Sequence, residues 1–446
     1  MFKIGLSGFR VFDETPDIQI SPITFITGGN SAGKTSFLSA LNLLSDLSDF
    51  RSNASFNKEP FFLGSFDQIS HYRAGRYGRS KYVKFRIKGN PRLNADHIPG
   101  VNTDILPDRA SIELSYANRF GQATLSSFIY FSDNFSVVFS FNDDWSVLTV
   151  NYKDSSESYD FSTSASDLPS IEIFGLNGFL IAAVVDRILH GYGRLSEFKT
   201  EPTRRMLLVG SELQAAFRMI PPTGFVGGPV RSSPQRTYNP TAPVTQSEGA
   251  HVPSQMAQLA RTHPSQWSKI KEEMSQFGRE SGLFEEVQVR RLGRGDSDPF
   301  QLNVKIEGNG PRRNILDVGY GVSQALPIVF ELSTRRENSL YMIQQPEVHL
   351  HPEAQSALGS YIVSSINQKP GFIIVETHSD FIIDRVRRHI RDKKIDRSSV
   401  SLLYFERKDY ATAIHKITIG DNGEVLNTPP SYREFFVRES IRNISL

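Results

Sequence analysis

The sequence contains no cysteine, and this absence excludes disulfides, thiolate metal sites, iron–sulfur clusters and thiol nucleophiles. It also lacks an apolar run of about 18 residues and the pattern of a signal peptide, because Met1 leads directly into Phe2-Lys3-Ile4. We therefore expect a cytoplasmic protein with no membrane partner. The formal net charge is only +2 over 446 residues, so a nucleic-acid ligand would have to meet a local basic patch.

What the chain does contain is typical of a globular protein. Hydrophobic residues make up 39% of the sequence, which is too many for wholesale disorder, and the length predicts about two or three domains. Hydrophobic patterning predicts an α/β fold. The predicted elements are a hairpin-like strand pair over Phe2–Phe12 and Ile18–Thr27, a helix from Lys34 to about Leu47, a β-meander from about Ser111 to Phe161, an apolar helix over Gly178–Leu195, a helical stretch from Pro253 to about Gly282, a strand pair over Val287–Ile306, and strands over Leu340–Ile343, Phe372–Val375 and Val400–Phe405 with helices between them. The proline-rich segment 221–254 is either a long ordered loop or a flexible linker.

One motif predicts a ligand. The segment Gly28-Gly29-Asn30-Ser31-Ala32-Gly33-Lys34-Thr35 matches the pattern G-x-x-x-x-G-K-[ST], and Ser36 completes the candidate binding segment. It lies between a predicted strand and a predicted helix, which is the context that a phosphate-binding loop requires. The glycines allow backbone N–H groups to surround a phosphate, Lys34 neutralises phosphate oxygens, and the Thr35 hydroxyl ligates Mg²⁺. The motif therefore predicts a nucleoside triphosphate as ligand.

Three further motifs occur towards the end of the chain. The strand Leu340–Ile343 leads into Gln344-Gln345-Pro346-Glu347-Val348-His349-Leu350-His351-Pro352, residues 317–326 read Asp-Val-Gly-Tyr-Gly-Val-Ser-Gln-Ala-Leu, and Glu376-Thr377-His378-Ser379-Asp380 follows another strand. Together with the phosphate-binding loop, these motifs resemble ABC-type AAA ATPases of the OLD (overcoming lysogenisation defect) and SMC/RecF class. The resemblance covers residues 1–48 and 310–406 well, and between them it extends to Leu63-Gly64-Ser65-Phe66 and to the loop that contains Arg231.

The resemblance implies a role for each motif. The Leu340–Ile343 strand is expected to lie beside the strand that precedes the phosphate-binding loop. Segment 317–326 would contact the terminal phosphate of ATP bound by the opposite subunit, through Gly319, Gly321, Ser323 and Gln324, with Ser323 supplying any hydroxyl. His378 would contact the same phosphate, and Gln68 would either approach Mg²⁺ or face solvent. ATP and Mg²⁺ are thus the implied cofactors, and a homodimer or higher homo-oligomer is the implied assembly.

Two residues depart from the family's pattern. Family members place carboxylates where this chain has Gln344 and Gln345; the first would hold a Mg²⁺-bound water and the second would polarise the attacking water. An amide can orient water but cannot accept its proton. Three explanations stay open: hydrolysis is naturally slow, a nearby carboxylate such as Glu347 substitutes, or the glutamines were introduced to trap ATP. Gln345, Glu347 and His378 are the candidate catalytic residues, and Thr35, Gln68 and Gln344 are the candidate metal ligands.

A basic segment precedes the predicted meander. Residues 71–92 carry eight lysines and arginines and no acidic residue, which predicts a field of unopposed positive charge. If 81–88 is a strand, Tyr82, Lys84, Arg86 and Lys88 share one face. Such a face could bind nucleic acid, with phosphates on the cations and bases on the tyrosines; a solvated edge strand or a surface for an acidic partner is the alternative. The candidate nucleic-acid residues are Arg73, Arg76, Arg79, Lys81, Lys84, Arg86 and Lys88.

The resemblance also predicts domains and partners. Residues 1–48 and 311–406 would form the two parts of the ATPase domain, 49–310 an insertion with the β-meander and helices, and 407–446 a C-terminal hairpin tail. OLD nucleases carry a Toprim domain after the ATPase, and this chain ends too soon after His378 for one, so we expect an effector nuclease or toxin in trans. The expected function is a slowly hydrolysing ATPase that dimerises on ATP and regulates such an effector in prokaryotic anti-phage defence. A RecF/SMC-like DNA repair ATPase and a non-hydrolysing ATP-gated scaffold are the alternatives.

Overall fold

The computed structural model describes residues 1–48, 56–73, 78–94, 103–155, 158–164, 204–240, 245–295, 297–306, 308 and 310–432. The chain divides into two compact units. The first takes in Met1–Ile20, Gly29–Thr223 and Phe405–Ile414, and the second takes in Ser21–Gly28, Gly224–Tyr404 and His415–Leu446. The predicted helix over Gly178–Leu195 lies outside the described residues.

The strands and helices follow one another along the chain with these bounds. The strands are β1 (Phe2–Phe9), β2 (Phe12–Glu14), β3 (Ile18–Ile20), β4 (Ile23–Gly28), β5 (Asn57–Lys58), β6 (Phe61–Phe62), β7 (Tyr82–Gly89), β8 (Ala110–Arg119), β9 (Gln122–Ser132), β10 (Phe135–Phe141), β11 (Val147–Asp154), β12 (Ser158–Ser164), β13 (Thr223–Gly227), β14 (Glu286–Arg291), β15 (Phe300–Lys305), β16 (Arg312–Asn314), β17 (Leu340–Gln344), β18 (Phe372–Glu376), β19 (Val400–Lys408), β20 (Ala411–Ile419) and β21 (Val425–Leu426). The α-helices are α1 (Lys34–Asp46), α2 (Phe66–Ile69), α3 (Arg204–Phe217), α4 (Val252–Thr262), α5 (Pro264–Ser281), α6 (Tyr320–Ser333), α7 (Pro352–Gln368) and α8 (Asp380–Arg391).

The first unit is built on a nine-stranded antiparallel sheet. Its strand order is β12-β11-β10-β9-β8-β7-β1-β2, with β3 also paired to β1. Alternate residues of the strands are buried, among them Phe85, Phe128 and Phe139, because successive side chains of a strand point to opposite faces. Helix α3 is joined to this sheet by Glu212, which accepts a hydrogen bond of 2.6 Å from the Tyr130 hydroxyl, and burial raises the pKa of Glu212. The predicted meander is thus confirmed as β8 to β12.

The N-terminal prediction of one hairpin-like strand pair is wrong. The second predicted strand, Ile18–Thr27, is divided between β3, which pairs with β1, and β4, which belongs to another sheet. The division falls at Ser21-Pro22, where proline has no N–H to continue a strand ladder. The Pro22 carbonyl instead accepts a hydrogen bond from the backbone N–H of Ile373 at 2.7 Å.

The second unit holds the main parallel strands. The seven-stranded sheet has the order β13-β17-β18-β4-β19-β20-β21. Strand β18 pairs in parallel with β17 on one side and with β4 on the other. The prediction that Leu340–Ile343 lies beside β4 is therefore wrong, because β18 is inserted between them. The strands are apolar and fully buried, as is typical of parallel strands covered on both faces.

Helices and a small sheet complete the second unit. The predicted helix 253–282 is two helices, α4 and α5, because Pro264 begins a new helix at a position where its missing N–H is tolerated. The predicted strand pair is present as β14 and β15, and β16 adds a third strand. In the described residues 221–240 and 245–254, the Gly228 N–H donates to the Ser247 carbonyl and the Ser232 N–H donates to the Glu248 carbonyl, which favours the ordered-loop alternative for these residues. Among the helices that the structure describes, none combines the length and apolar composition needed to cross a bilayer.

The fold class predicted from the sequence, α/β with an antiparallel β-meander and a helical and loop insertion, is confirmed. Strands β20 and β21 pair within the predicted C-terminal hairpin, whose remaining residues 433–446 lie outside the described part of the chain.

Candidate functional site

The loop between β4 and α1 has the backbone of an anion cradle. Gly28, Ser31 and Gly33 have positive φ angles of 141°, 58° and 91°. At Gly33 a side chain is also excluded by space, since a β-carbon there would lie 2.4 Å from Val11 Cγ2. Residues Gly29, Asn30 and Ser31 are exposed, and a β-carbon on Gly29 would meet no atom within 4 Å. A loop of this shape can bring backbone N–H groups close to a phosphate.

The start of α1 adds positive potential to this loop. In the described structure no side chain caps α1, and its first turn contains no acidic residue, so the positive end of the helix dipole is not offset there by a carboxylate. Lys34 is only 6% exposed, and its ammonium donates to the Gly29 carbonyl at 2.9 Å. Thr35 is exposed and Ser36 is half-buried. The donors present fit a polyphosphate, and the Thr35 hydroxyl is placed at the helix start where it could ligate Mg²⁺.

The candidate catalytic loop follows β17 in the second unit. Gln344 is buried at the end of the strand, and Gln345 adopts a left-handed conformation with φ 44°. The Gln345 N–H donates to the Glu376 carbonyl at 2.7 Å, and the Thr377 N–H donates to the Ile26 carbonyl at 3.0 Å. The ends of β4, β18 and β17 are thus joined by backbone hydrogen bonds. A left-handed non-glycine residue persists only where its surroundings hold it, and such positions are common at functional sites.

Glu347 holds the segment that contains His378. One carboxylate oxygen accepts from the His378 N–H at 2.6 Å, and the other accepts from the Thr377 hydroxyl at 2.8 Å. The His378 side chain is exposed, while Ser379 caps α8 by accepting from the Ile382 N–H. Gln345, Glu347 and His378, predicted separately from sequence, are therefore brought together at one edge of the sheet. Both oxygens of Glu347 already accept hydrogen bonds.

Arg231 lies at the same edge, and sequence reasoning assigns it no role. It is 5% exposed, and its NH2 group donates to the carbonyl oxygens of Gln344 and Gln345, each at 3.1 Å. Burial lowers its pKa to about 10, and the charge of Glu347 opposes that shift. The available signal in the sequence is the loop Gly227-Gly228-Pro229-Val230-Arg231. This loop is part of the family resemblance, but the resemblance implies no function for Arg231.

Segment 317–326 spans the start of α6. Gly319 is the N-cap of the helix, and Gly321 packs so closely that a β-carbon would lie 3.0 Å from the His349 carbonyl oxygen. Ser323 does not present its hydroxyl as expected: it is buried and donates to the Tyr320 carbonyl at 2.8 Å. Gln324 is also buried, at 3% exposure. The contact of Gly319 and Gly321 with ATP bound by the opposite subunit stays a prediction.

The Gln68 side chain caps the short helix α2. Its side-chain oxygen accepts from the Ser65 N–H at 2.8 Å, which forms the capping box of α2. The side chain is exposed, which agrees with the alternative that Gln68 faces solvent. Among the described residues, no group of three or more His, Asp and Glu side chains is arranged to hold a metal ion. Of the predicted metal ligands, Thr35 and Gln68 lie in the first unit and Gln344 lies in the second.

The basic strand β7 is paired with acidic residues, so the prediction of unopposed charge is wrong. The alternation of its side chains is as expected, with Val83, Phe85 and Ile87 buried. The contacts of the basic residues are Lys84 with Glu113 at 3.3 Å, Arg86 with Asp17 at 3.1 Å and with Glu113 at 3.7 Å, Lys88 with Asp17 at 2.6 Å, Arg73 with Asp13 at 2.6 Å, and Lys81 with Asp143 at 3.7 Å. The acids lie in β2, in the β2–β3 turn, in β8 and in the β10–β11 turn. All of these segments are outside residues 71–92, so the local sequence of the basic segment could not reveal them. Arg79 donates to the Ser70 carbonyl and lies over the Tyr72 ring; Arg76 lies outside the described residues.

Comparison with known proteins connects the second unit to a family. Residues 234–383 match the family model described as an AAA ATPase domain. This part of the chain is similar to an ATPase. The match includes α6, the Gln344–Glu347 loop and His378, and it does not extend to residues 28–36. No curated protein matches the sequence.

Solved structures of SMC heads are similar over nearly the whole chain. An SMC head bound to the C-winged helix domain of ScpA has 13% identity and a TM-score of 0.46, covering 94% of this chain and 98% of that one. The SMC head domain from Thermotoga maritima has 12% identity and a TM-score of 0.39, with 93% and 97% covered. The Pyrococcus furiosus SMC head with an extended coiled coil, bound to the C-terminal domain of ScpA, has 12% identity and a TM-score of 0.44, with 99% and 100% covered. At these identities and scores, the functional proposal rests on the chain's own residues and the family match.

Proposed function

We propose that this chain is an ABC-type ATPase of the OLD and SMC/RecF class that binds Mg·ATP through residues 28–36 and dimerises on it. The observation that carries the proposal is the loop between β4 and α1. It combines three left-handed positions, an uncapped helix start and a buried lysine whose ammonium contacts a loop carbonyl. These are the features with which a phosphate-binding loop holds a triphosphate, and Lys34 would exchange its carbonyl partner for phosphate oxygens.

Slow hydrolysis is the expected chemistry. ATP with Mg²⁺ supplies an activated phosphoryl group, and its transfer depends mainly on positioning and electrostatic stabilisation. In this proposal Gln345 orients the attacking water, as a glutamine does in other phosphate-binding-loop NTPases. His378 would donate to the terminal phosphate, and Thr35 would hold Mg²⁺. Glu347 serves less well as a proton acceptor, because its two oxygens accept from Thr377 and His378.

The proposed biological role is a sensor and regulatory scaffold in prokaryotic anti-phage defence. Gly319 and Gly321 of one subunit would meet ATP bound by the other, so that ATP holds the homodimer together, and an effector nuclease or toxin would be controlled in trans. This role rests on the set of motifs that the chain shares with the OLD class. Pulldown from the native host, with and without ATP, tests it: ATP-dependent capture of a nuclease or toxin is expected, whereas ATP-dependent binding to DNA ends without an effector would favour a repair ATPase.

A non-hydrolysing ATP-gated scaffold is the second candidate. The observation that favours it is the neutral pair Gln344 and Gln345 next to a carboxylate whose oxygens are both engaged. In that case ATP binding alone would close the dimer, and release of the nucleotide would open it.

Steady-state phosphate release with Mg·ATP separates the two candidates. The comparison uses the unchanged chain, Lys34→Ala, Gln345→Glu, and Gln258→Glu as a control that makes the same chemical change on an exposed face of α4. We expect slow turnover in the unchanged chain. Lys34→Ala should abolish this turnover, and Gln258→Glu should preserve it. Binding without turnover, with turnover appearing only in Gln345→Glu, would identify the scaffold. Failure of the unchanged chain to bind ATP would overturn both.

A further inference from the structure

A cavity of about 420 Å³ lies among three helices of the second unit. Helix α7 packs against α5 and against α8, and residues of all three helices line the cavity. It therefore lies over α7, with α5 on one side and α8 on the other. Its volume is in the range of small-molecule sites, about 300–1,000 Å³, and the proposed nucleotide binding makes no use of it.

The two sides of this cavity carry opposite charges. Arg385, Arg388 and Lys394 line it from α8 and the turn that follows, and Glu273 and Glu280 line it from α5. Opposite charges on facing helices attract one another and commonly form ion pairs when they are close enough. We therefore asked which partners these five side chains have.

Ion pairs on these helices involve other residues. The pairs are Arg279 with Glu272, Arg387 with Asp384, and Arg391 with Asp392, the last of which is the third acid that lines the cavity. Within the described part of the chain, the five charged side chains named above take part in no ion pair. The two sides are thus charged, complementary and separated from each other by the cavity.

One charge on each side is partly withdrawn from water. Glu273 is half-buried; burial raises its pKa, and the charge of Lys369 opposes that shift. Arg385 is also half-buried, and its NH1 group donates to the neutral Ser360 hydroxyl at 3.1 Å. A charge that loses hydration is stabilised by an opposite charge that hydrogen-bonds to it. A ligand with one charge of each sign would supply that stabilisation on both sides.

We propose that this cavity binds a small zwitterion of the amino-acid type, with its carboxylate towards α8 and its ammonium towards α5. A polyanion fits less well, because Glu273 and Glu280 would repel it, and a polycation would be repelled by the side of α8. The guanidinium groups of Arg385 and Arg388 suit a carboxylate, which they can hold with two parallel hydrogen bonds. All the lining residues belong to the second unit, so the inference does not depend on the proposed nucleotide binding.

Isothermal titration calorimetry on the full chain tests the proposal. Each common L-amino acid is titrated singly, and the one that binds best is compared with its N-acetyl derivative, which lacks the ammonium, and with its amide, which lacks the carboxylate. We expect this amino acid to bind with a Kd below about 1 mM. Each derivative should bind roughly fivefold more weakly, because each loses one charge interaction near the surface.

Two variants assign the charges to the two sides. Glu273→Gln should weaken the amino acid and its amide but not the N-acetyl derivative, and Arg388→Gln should weaken the amino acid and its N-acetyl derivative but not the amide. The controls Glu272→Gln and Arg391→Gln make the same changes at exposed residues that do not line the cavity, and they should change no affinity.

Three results would overturn the inference. They are the absence of binding by any amino acid, inorganic phosphate that binds as tightly as the best amino acid, and derivatives whose affinities do not follow the two variants as stated. If thermal unfolding shows that Glu273→Gln does not fold, Glu280→Gln tests the same side by the same comparison, because Glu280 is exposed. ATP enters none of these measurements, so their failure would leave the proposed function unaffected.

Discussion

Removing the carboxylate of Glu347 should release the backbone at His378. The His378 N–H donates to this carboxylate at 2.6 Å and the Thr377 hydroxyl at 2.8 Å. Hydrogen bonds to a charged group contribute about 1.5–3 kcal/mol each. Since Glu347 is only half-buried, solvent screens part of this interaction, and we use the lower bound of about 1.5 kcal/mol for the His378 bond. That value corresponds to roughly a tenfold change in the equilibrium for local opening.

Hydrogen exchange measures this opening at a single amide. In Glu347→Ala the His378 amide should exchange roughly tenfold faster than in the unchanged chain. Thr377→Val, which keeps the carboxylate, should accelerate it less. Glu272→Ala on α5 is the control, because it removes an exposed carboxylate paired only with Arg279 in the described ion pairs. Unchanged exchange of the His378 amide in Glu347→Ala would refute the assignment of Glu347 as the residue that holds this segment.

Three further changes have defined outcomes. Gly33→Ala should weaken Mg·ATP binding and lower the melting temperature, because the added carbon would approach Val11 within 2.4 Å; calorimetry and thermal unfolding measure the two effects, and normal values for both would contradict the steric argument. Charge reversal at Lys84 and Arg86 should reduce stability by about 1 kcal/mol or more per ion pair, because attraction to Glu113 and Asp17 becomes repulsion, and it should leave DNA affinity unchanged. A loss of affinity with a shallower salt dependence would support the nucleic-acid alternative. Burial, with nearby cations, lowers the pKa of His389. The folded state therefore favours the neutral ring, and the free energy of unfolding should fall as the pH drops below about 6.5. His389→Gln should remove that part of the pH dependence, which thermal unfolding at several pH values measures.

Features that depend on neighbours in sequence could be predicted. The helix after the phosphate-binding motif begins at Lys34 as expected, and the turns at 120–121 and 133–134 separate the meander strands where turn residues occur. Each of these signals is contained within a few residues. Short-range propensity and the period of the hydrophobic pattern therefore predict such elements well.

Features that depend on long-range pairing could not be predicted. Arg86 lies opposite Glu113 in the pairing of β7 with β8, and no window around Arg86 contains that acid. The order of β17, β18 and β4 likewise depends on which parallel strand is inserted between the other two.

The backbone bonds that join the ends of β4, β18 and β17 have a consequence for binding thermodynamics. The Thr377 and Gln345 amides are already committed to Ile26 and Glu376 in the folded chain, so these loops lose their conformational entropy during folding rather than during ligand capture. The nucleotide binding proposed for this edge would then be preorganised, and its affinity would reflect the new contacts with little entropic cost for ordering the loops. Substitutions that loosen any one of the three strand ends should weaken binding by an entropic route, even when they remove no atom that touches a ligand.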